Sequence, residues 1–326
     1  MTSSLTRRGF AAALGLASFA PSLLLAQPGT YPTKPVTFVV PFAAGSATDQ
    51  LARALGQSLT EQTKQAVVVD NKAGASGMLA AQAVARAAND GYTVLITTNT
   101  THAANEHLYK KLGYDPVKDF TPITGLGKGG QLLVVRSDSP IKSVAELIAQ
   151  AKKTPGKLSF GSGSSSSRVA GELFKQLAGV DLLHVPYKSN PNAITDLLGG
   201  QIDLMFADTA TAVPQVSAGK LRALGATPAR RISLLPDVPT LDEAGVKGYD
   251  MGFWFAAYLP AGAPAAVASR LRELLWAATR GESAKSFYGA SGVEPWTSTA
   301  DELARFQAAE TQKWARVIKA AGIEAE

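Results

Sequence analysis

The sequence contains no cysteine, which excludes disulfide frameworks, thiolate metal sites, iron–sulfur clusters and cysteine nucleophiles together. Histidine is nearly as scarce, with three residues. His102 and His107 flank Glu106 but stand five positions apart, roughly 140° around a helix, so they offer no shared metal-facing side. His184 falls in a strand and reads as structural. Charge is thin as well. Asp, Glu, Lys and Arg make up 18% and the net charge is +6 over 326 residues. No stretch mixes Lys/Arg clusters with aromatics, which excludes nucleic acid as a partner. A nucleophile elbow of the G-x-S-x-G kind is missing, because Gly161-Ser162-Gly163-Ser164-Ser165 misplaces its glycines. Gly125-Leu126-Gly127-Lys128-Gly129-Gly130 matches G-x-G-x-x-G, yet a strand-like run follows instead of a helix, so it reads as a hinge and not a dinucleotide loop. No metal or cofactor is expected.

What is present is a globular composition, 46% apolar with 30 glycines and 18 prolines. At ~100–200 residues per domain the length predicts about two domains. Arg7-Arg8-Gly9-Phe10 leads into an apolar stretch over 11–25, interrupted by Pro21 and followed by Ala26-Gln27-Pro28-Gly29. A charged start, a short apolar run and a small residue before a turn form an export signal of twin-arginine type over 1–26. As a membrane anchor it is too short, since a span needs ~20 apolar residues. Its removal takes away Arg7 and Arg8 and leaves 30 basic residues against 26 acidic ones. A protein freed of this segment is expected in the periplasm.

From Val36 onward β-branched runs alternate with helical periodicity, the pattern of a mostly parallel sheet covered by helices. Strands are expected over 36–40, 66–69 and 92–97, with helices after 47 (Leu51, Leu55, Leu59) and over 77–88. Residues 121–130 break into Pro and Gly. A second α/β unit follows, with strands over 132–136, 158–161, 182–185, 202–207 and 221–226 and helices over 144–152, 169–177, 193–198 and 212–217. An aromatic strand over 253–258 precedes terminal helices over 265–279 and 300–321, which pack most simply back onto the first unit. The reading is a chain of two lobes, 31–127 plus 253–326 and 128–252. It crosses between them near 127–130 and near 249–252, with ligand held in a cleft that can hinge.

Two loops carry the candidate chemistry. The first joins the first strand to the first helix and contributes Phe42, Ala44, Gly45, Ser46 and Thr48. Ser46 and Asp49 have capping-box spacing, and Asp49 is assigned to capping. A helix start carries unpaired N–H groups and partial positive charge, so it receives carboxylate without Lys or Arg. The plain alternative is an ordinary strand-to-helix turn. The second loop offers Ser162, Ser164, Ser166 and Arg168, whose guanidinium can grip a carboxylate bidentately. Its alternative is a flexible Ser/Gly linker. Thr98 and Asn99, Tyr187, and Asp208 with Thr209 end other strands, where ligands gather in open α/β sheets.

Taken together these residues resemble the extracytoplasmic binding proteins of tripartite tricarboxylate transporters, the Bug family. The resemblance spans nearly all of the chain beyond the export segment. It rests on Tyr31-Pro32, Val40-Pro41-Phe42, Val67-Val68-Val69-Asp70-Asn71, Gly74-Ala75-Ser76-Gly77, Asp90-Gly91-Tyr92-Thr93 and Tyr114-Asp115-Pro116. Further on it includes Ala170-Gly171-Glu172-Leu173-Phe174, His184-Val185-Pro186-Tyr187-Lys188, Gly219-Lys220-Leu221-Arg222-Ala223-Leu224 and Pro236-Asp237-Val238-Pro239-Thr240. The resemblance implies a type II-like periplasmic binding protein of two lobes, monomeric and without catalytic step. It would close on a small organic acid and deliver it to the membrane permease subunits of the transporter. It also implies that the loops at Gly45–Asp49 and Ser162–Arg168 pinch the carboxylate. Two departures stand out: Ser46 replaces the usual second glycine, and Arg168 stands where many members place His. The rival readings are a secreted carboxylate-processing enzyme with Asp208 or His102 as base, and a receptor presenting its ligand to a sensor kinase.

Overall fold

Each of the two sheets is built around one short apolar strand that feeds a helix. In the computed structural model, which describes residues 31–326, the first is β1 (Val36–Val40), followed by α1 (Ala47–Thr63). The export segment over 1–26 lies outside the described residues. Leu51, Leu55 and Leu59 recur at helical spacing and bury one face of α1 completely. The chain continues through β2 (Val67–Asn71), α2 (Met78–Ala85), β3 (Thr93–Thr98), a wide π turn over Thr100–Ala104, α3 (Asn105–Leu108) and β4 (Phe120–Gly129). The second sheet then takes β5 (Gln131–Arg136), α4 (Val144–Lys153), β6 (Ser159–Ser162), α5 (Ser165–Ala178), β7 (Leu183–Pro186), α6 (Asn190–Leu198), β8 (Leu204–Asp208), α7 (Thr209–Ser217) and β9 (Leu221–Ala226). Last come β10 (Phe253–Pro260), α8 (Ala265–Ala278), α9 (Glu282–Ser291) and α10 (Ala300–Ala320).

The sheets have corresponding orders, β2-β1-β3-β10-β4 and β7-β6-β8-β5-β9. In each, four strands run one way and one runs against them: β10 is antiparallel to β3 and β4, and β5 to β8 and β9. The odd strand is in both cases the one that arrives from the other sheet, so each sheet receives a strand of opposite direction at its fourth position. The order reverses at β1 and at β6, because the next strand in sequence lies on one side and the one after it on the other. These are topological switch points, where crevices open beyond the strand ends.

Three expectations change. The Gly/Pro-rich stretch over 121–130 is not a loop but the ten-residue β4, so a break after 127 falls inside a strand and the chain leaves the first sheet at Gly130. Its glycines are there because aromatic rings lie against the strand. A Cβ on Gly125 would come within 2.4 Å of Trp296, and one on Gly129 within 2.5 Å of Phe253. Helix α5 starts at Ser165, four residues before 169, because the serines form its cap and first turn instead of a linker. Helix α9 was not anticipated; its mixed sequence buries only Ala284, Phe287, Tyr288 and Ser291.

Candidate functional site

The loop after β1 turns into α1 through Ser46, whose side chain accepts a hydrogen bond from the Asp49 amide at 3.3 Å. Asp49 reaches back: its Oδ2 accepts from the Gly45 amide at 2.9 Å and from Arg53 Nε at 3.0 Å. Asp49 is thus occupied with the cap and with α1 itself. Ala47 and Thr48 keep first-turn amides that have no intrahelical acceptor.

At β6 the serines divide their labour. Ser164 caps α5 by accepting from the Ser167 amide at 3.2 Å, and Ser167 Oγ accepts from the Ser164 and Gly163 amides, each at 3.1 Å. Ser162 pairs with His184 Nε2 at 2.7 Å. Ser165 donates to Asn105 Oδ1 at 2.7 Å, and Ser166 accepts from Asn99 Nδ2 at 2.8 Å. The row of hydroxyls expected to grip an anion is therefore largely engaged within the protein. What α5 leaves open at its start are backbone amides, those of Ser165 and Ser166. The Ser165–Asn105 and Ser166–Asn99 bonds join the two sheets' elements directly.

Between these helix starts lies a narrow cavity of about 20 Å³, measured as the space open to the centre of a water-sized sphere, and partly open to solvent. That is room for about one water, so the two loops stand closed on each other here and must part before an organic acid can enter. The cavity is lined by Phe42, Ser46 and Thr48 from the first loop, Thr98 and Asn99 from the end of β3, Ser164 and Ser166 from α5, and Asp208 from the end of β8. Eight sequence-predicted residues are thus brought together although they come from both sheets. Burial pushes the Asp208 carboxyl up to about 6, although the amide donors Gln131 and Asn190 oppose the shift.

Other expected residues lie elsewhere. Ala44 and Gly45 are exposed on the loop outside the lining, and Thr209 is fully buried, its amide held by the Gly130 carbonyl at 3.3 Å. Arg168, Ser162 and Tyr187 line a second hollow on the other side of the α5 start, together with Tyr109, His184 and Glu326. Arg168 does not face the first cavity. It pairs with Glu326 at 2.7 Å, with side-chain exposures of 20% and 59%. Helical geometry explains this: Arg168 stands three positions after Ser165 and shares with it the side of α5 that borders the second hollow, whereas Ser166, about 200° from Arg168 around the helix, faces the first cavity. Arg168→Ala is accordingly expected to change carboxylate affinity by no more than about threefold, as the loss of a partly exposed ion pair does. A hundredfold loss in calorimetric titration would put Arg168 back in the ligand site.

Sequence reasoning missed Thr100, Gly163, Asn190, Phe253 and Phe255, which complete the lining. Asn190 ties the site together. Its Oδ1 accepts from the Gly163 amide at 3.1 Å and its Nδ2 donates to Asp208 at 2.7 Å. Phe253 and Phe255 share one face of β10 by the two-residue period of a strand and meet edge to face at 5.0 Å. That alternation was legible at 253–255; which face it served was not. His102, the rival base, does not line the cavity. It is fully buried, stacked on Tyr258 at 4.0 Å, and burial lowers its pKa to about 3.

Residues 51–323 match the family model of the tripartite tricarboxylate transporter family receptor. Among solved structures, Rpa4515 of R. palustris with adipate is 37% identical, covers 91% of this chain and 100% of its own, and superposes with a TM-score of 0.88. The periplasmic binding protein BugD is 35% identical over 91% and 100%, with a TM-score of 0.87. MatC from Rhodopseudomonas palustris with bound malate is 31% identical over 88% and 100%, with a TM-score of 0.84. The matched family is one of receptors, not of enzymes.

Proposed function

This chain belongs to the tripartite tricarboxylate transporter receptor family, and from that premise we propose that it is an exported solute receptor. It captures a small organic carboxylate between its lobes and hands it to the membrane permease of a tripartite transporter. The observation that carries this reading is the convergence of two helix starts, α1 and α5, on one cavity from switch points of two different sheets. Each supplies unpaired amides and partial positive charge to the same small volume, and neither needs a basic side chain to hold an anion. The adipate and malate in the related structures support the ligand class.

In this reading the molecule works as a monomer in the periplasm. Its moving bodies are 31–129 with 253–326 against 130–252, turning about Gly130 and Gly252. Closure brings Asn99 onto Ser166 and Asn105 onto Ser165. A ligand that binds the folded state raises apparent stability by mass action. A thermal-shift screen of mono- and dicarboxylates is therefore expected to give shifts of several degrees for a few acids and none for matched amines or sugars. Small-angle scattering should show compaction with the best of them. If no carboxylate raises the melting temperature, the proposed function fails; an unchanged scattering profile with a bound acid defeats closure alone. Deletion of the gene should abolish uptake of that acid, whereas a signalling role would leave uptake intact.

A further inference from the structure

The cavity that admits an anion also carries an anionic group of its own. Asp208 ends β8 facing the space between the helix starts, with protein packed around it on its other sides. Both of its hydrogen-bond partners are neutral amides, Asn190 Nδ2 at 2.7 Å and Gln131 Nε2 at 3.4 Å. Among the described ion pairs it takes part in none, in contrast to Asp49, which Arg53 neutralises. A carboxylate offers about four lone-pair positions, and the two amides use two. The remainder needs donors, and the cavity wall supplies none with charge: its other polar members are Ser, Thr and Asn.

The space is therefore polarised, with the α1 and α5 starts on one side and on the other a carboxylate that no described cationic side chain pairs. Asp208 stands at the start of α7, which offsets its charge only through the helix dipole, since its side chain makes no capping hydrogen bond there. A ligand whose second end bears only acceptor oxygens would set two like charges close together in a partly dry site, which is costly. One whose second end bears N–H or O–H groups would satisfy both ends at once. A site built around a buried polar group discriminates strongly against an analogue that leaves the group unpaired.

Resting on the proposed function, we infer that Asp208 is a specificity-determining residue that selects acids carrying a hydrogen-bond donor, hydroxy or amino acids, over equally sized acids without one. Asn190 positions it, because the same side chain anchors the Gly163 amide and so fixes Asp208 relative to the α5 start.

The test is calorimetric titration of the wild type and Asp208→Asn with matched sets of probes: succinate, malate and aspartate; butyrate, 4-hydroxybutyrate and 4-aminobutyrate. On the wild type the best donor-bearing member of a set should bind at least tenfold more tightly than its donor-free partner. Asp208→Asn should reduce that preference to under threefold and strengthen succinate about tenfold by removing the like charge. Thermal unfolding verifies that the variant is folded, and Asp208→Ser repeats the comparison if it is not. Acids that bind wild type and variant in the same order of preference would overturn the role of Asp208 while leaving carboxylate capture standing. Succinate binding that weakens in Asp208→Asn would overturn it too, since Asp208 would then be the donor. If no acid binds the wild type, both readings fall together.

Discussion

Gly163→Ala should weaken carboxylate binding about a hundredfold, the equivalent of losing one or two hydrogen bonds to a charged group. The reason is a close approach of backbone to backbone. A Cβ at Gly163 would lie 2.0 Å from the carbonyl carbon of Ser189 and 2.1 Å from the Asn190 amide nitrogen. Neither is a flexible side-chain tip that can swing aside, so the loop before α5 must separate from the start of α6. That movement breaks the Gly163–Asn190 bond at 3.1 Å and with it the bridge from Asn190 to Asp208. Overpacking of this kind costs about 1–3 kcal/mol in stability. Calorimetric titration measures the affinity, and urea denaturation the stability. Gly289→Ala is the control: nothing lies within 4 Å of the added carbon on α9, and the change should stabilise by up to about 1 kcal/mol. Equal affinity and stability for Gly163→Ala and wild type would mean that the contact is not obligatory.

The second large effect is acid destabilisation through His102. Its imidazole is buried between Tyr258 and Phe120, with Nδ1 bonded to Thr101 at 2.9 Å and Nε2 without a partner. Burial lowers its pKa to about 3, against an ordinary value of 6.5. Below pH 6.5 the unfolded chain therefore binds a proton that the folded one refuses. Stability from this group is complete above pH 6.5 and declines as pH falls toward 3. By pH 4 the loss is about 3 kcal/mol at ~1.4 kcal/mol per pH unit. His184, held down to about 4 by burial and by the neighbouring Arg168, acts in the same direction. Asp208 acts in the opposite one: raised to about 6, it takes up a proton on folding between pH 6 and its unfolded value, and so stabilises the fold as pH falls.

The difference between wild type and His102→Phe isolates the histidine. Phenylalanine keeps an aromatic ring against Tyr258 and removes a buried nitrogen that has no partner. Urea denaturation of both proteins at pH 7 and pH 4 should show the wild type losing about 3 kcal/mol more than the variant. Parallel losses would show that His102 titrates normally in the folded protein.

Much of the fold was legible because it is written in short-range chemistry. The strand over 36–40, the Leu51-Leu55-Leu59 face and the Ser46–Asp49 cap each depend on neighbours a few positions away. The segment over 120–129 misled because glycine and proline ordinarily mark turns, whereas here Trp296 and Phe253, more than 120 positions downstream, require the missing side chains. The serine run at 164–167 hid the start of α5 for a related reason, since cap and first-turn residues carry no apolar periodicity.

The sequence by itself determined two strand–loop–helix units with amide-rich helix starts and, through short motifs spread along the chain, the family resemblance. Only the tertiary structure decided which residues face the common cavity. It turned Arg168 toward Glu326, committed five serine hydroxyls to bonds within the protein, and brought Asn190, Phe253 and Phe255 to the wall. Caps and amphipathic faces form from local backbone geometry. The direction in which a side chain finally points depends on how two sheets, each receiving a strand from the other, pack together, and no window of neighbouring residues holds that information.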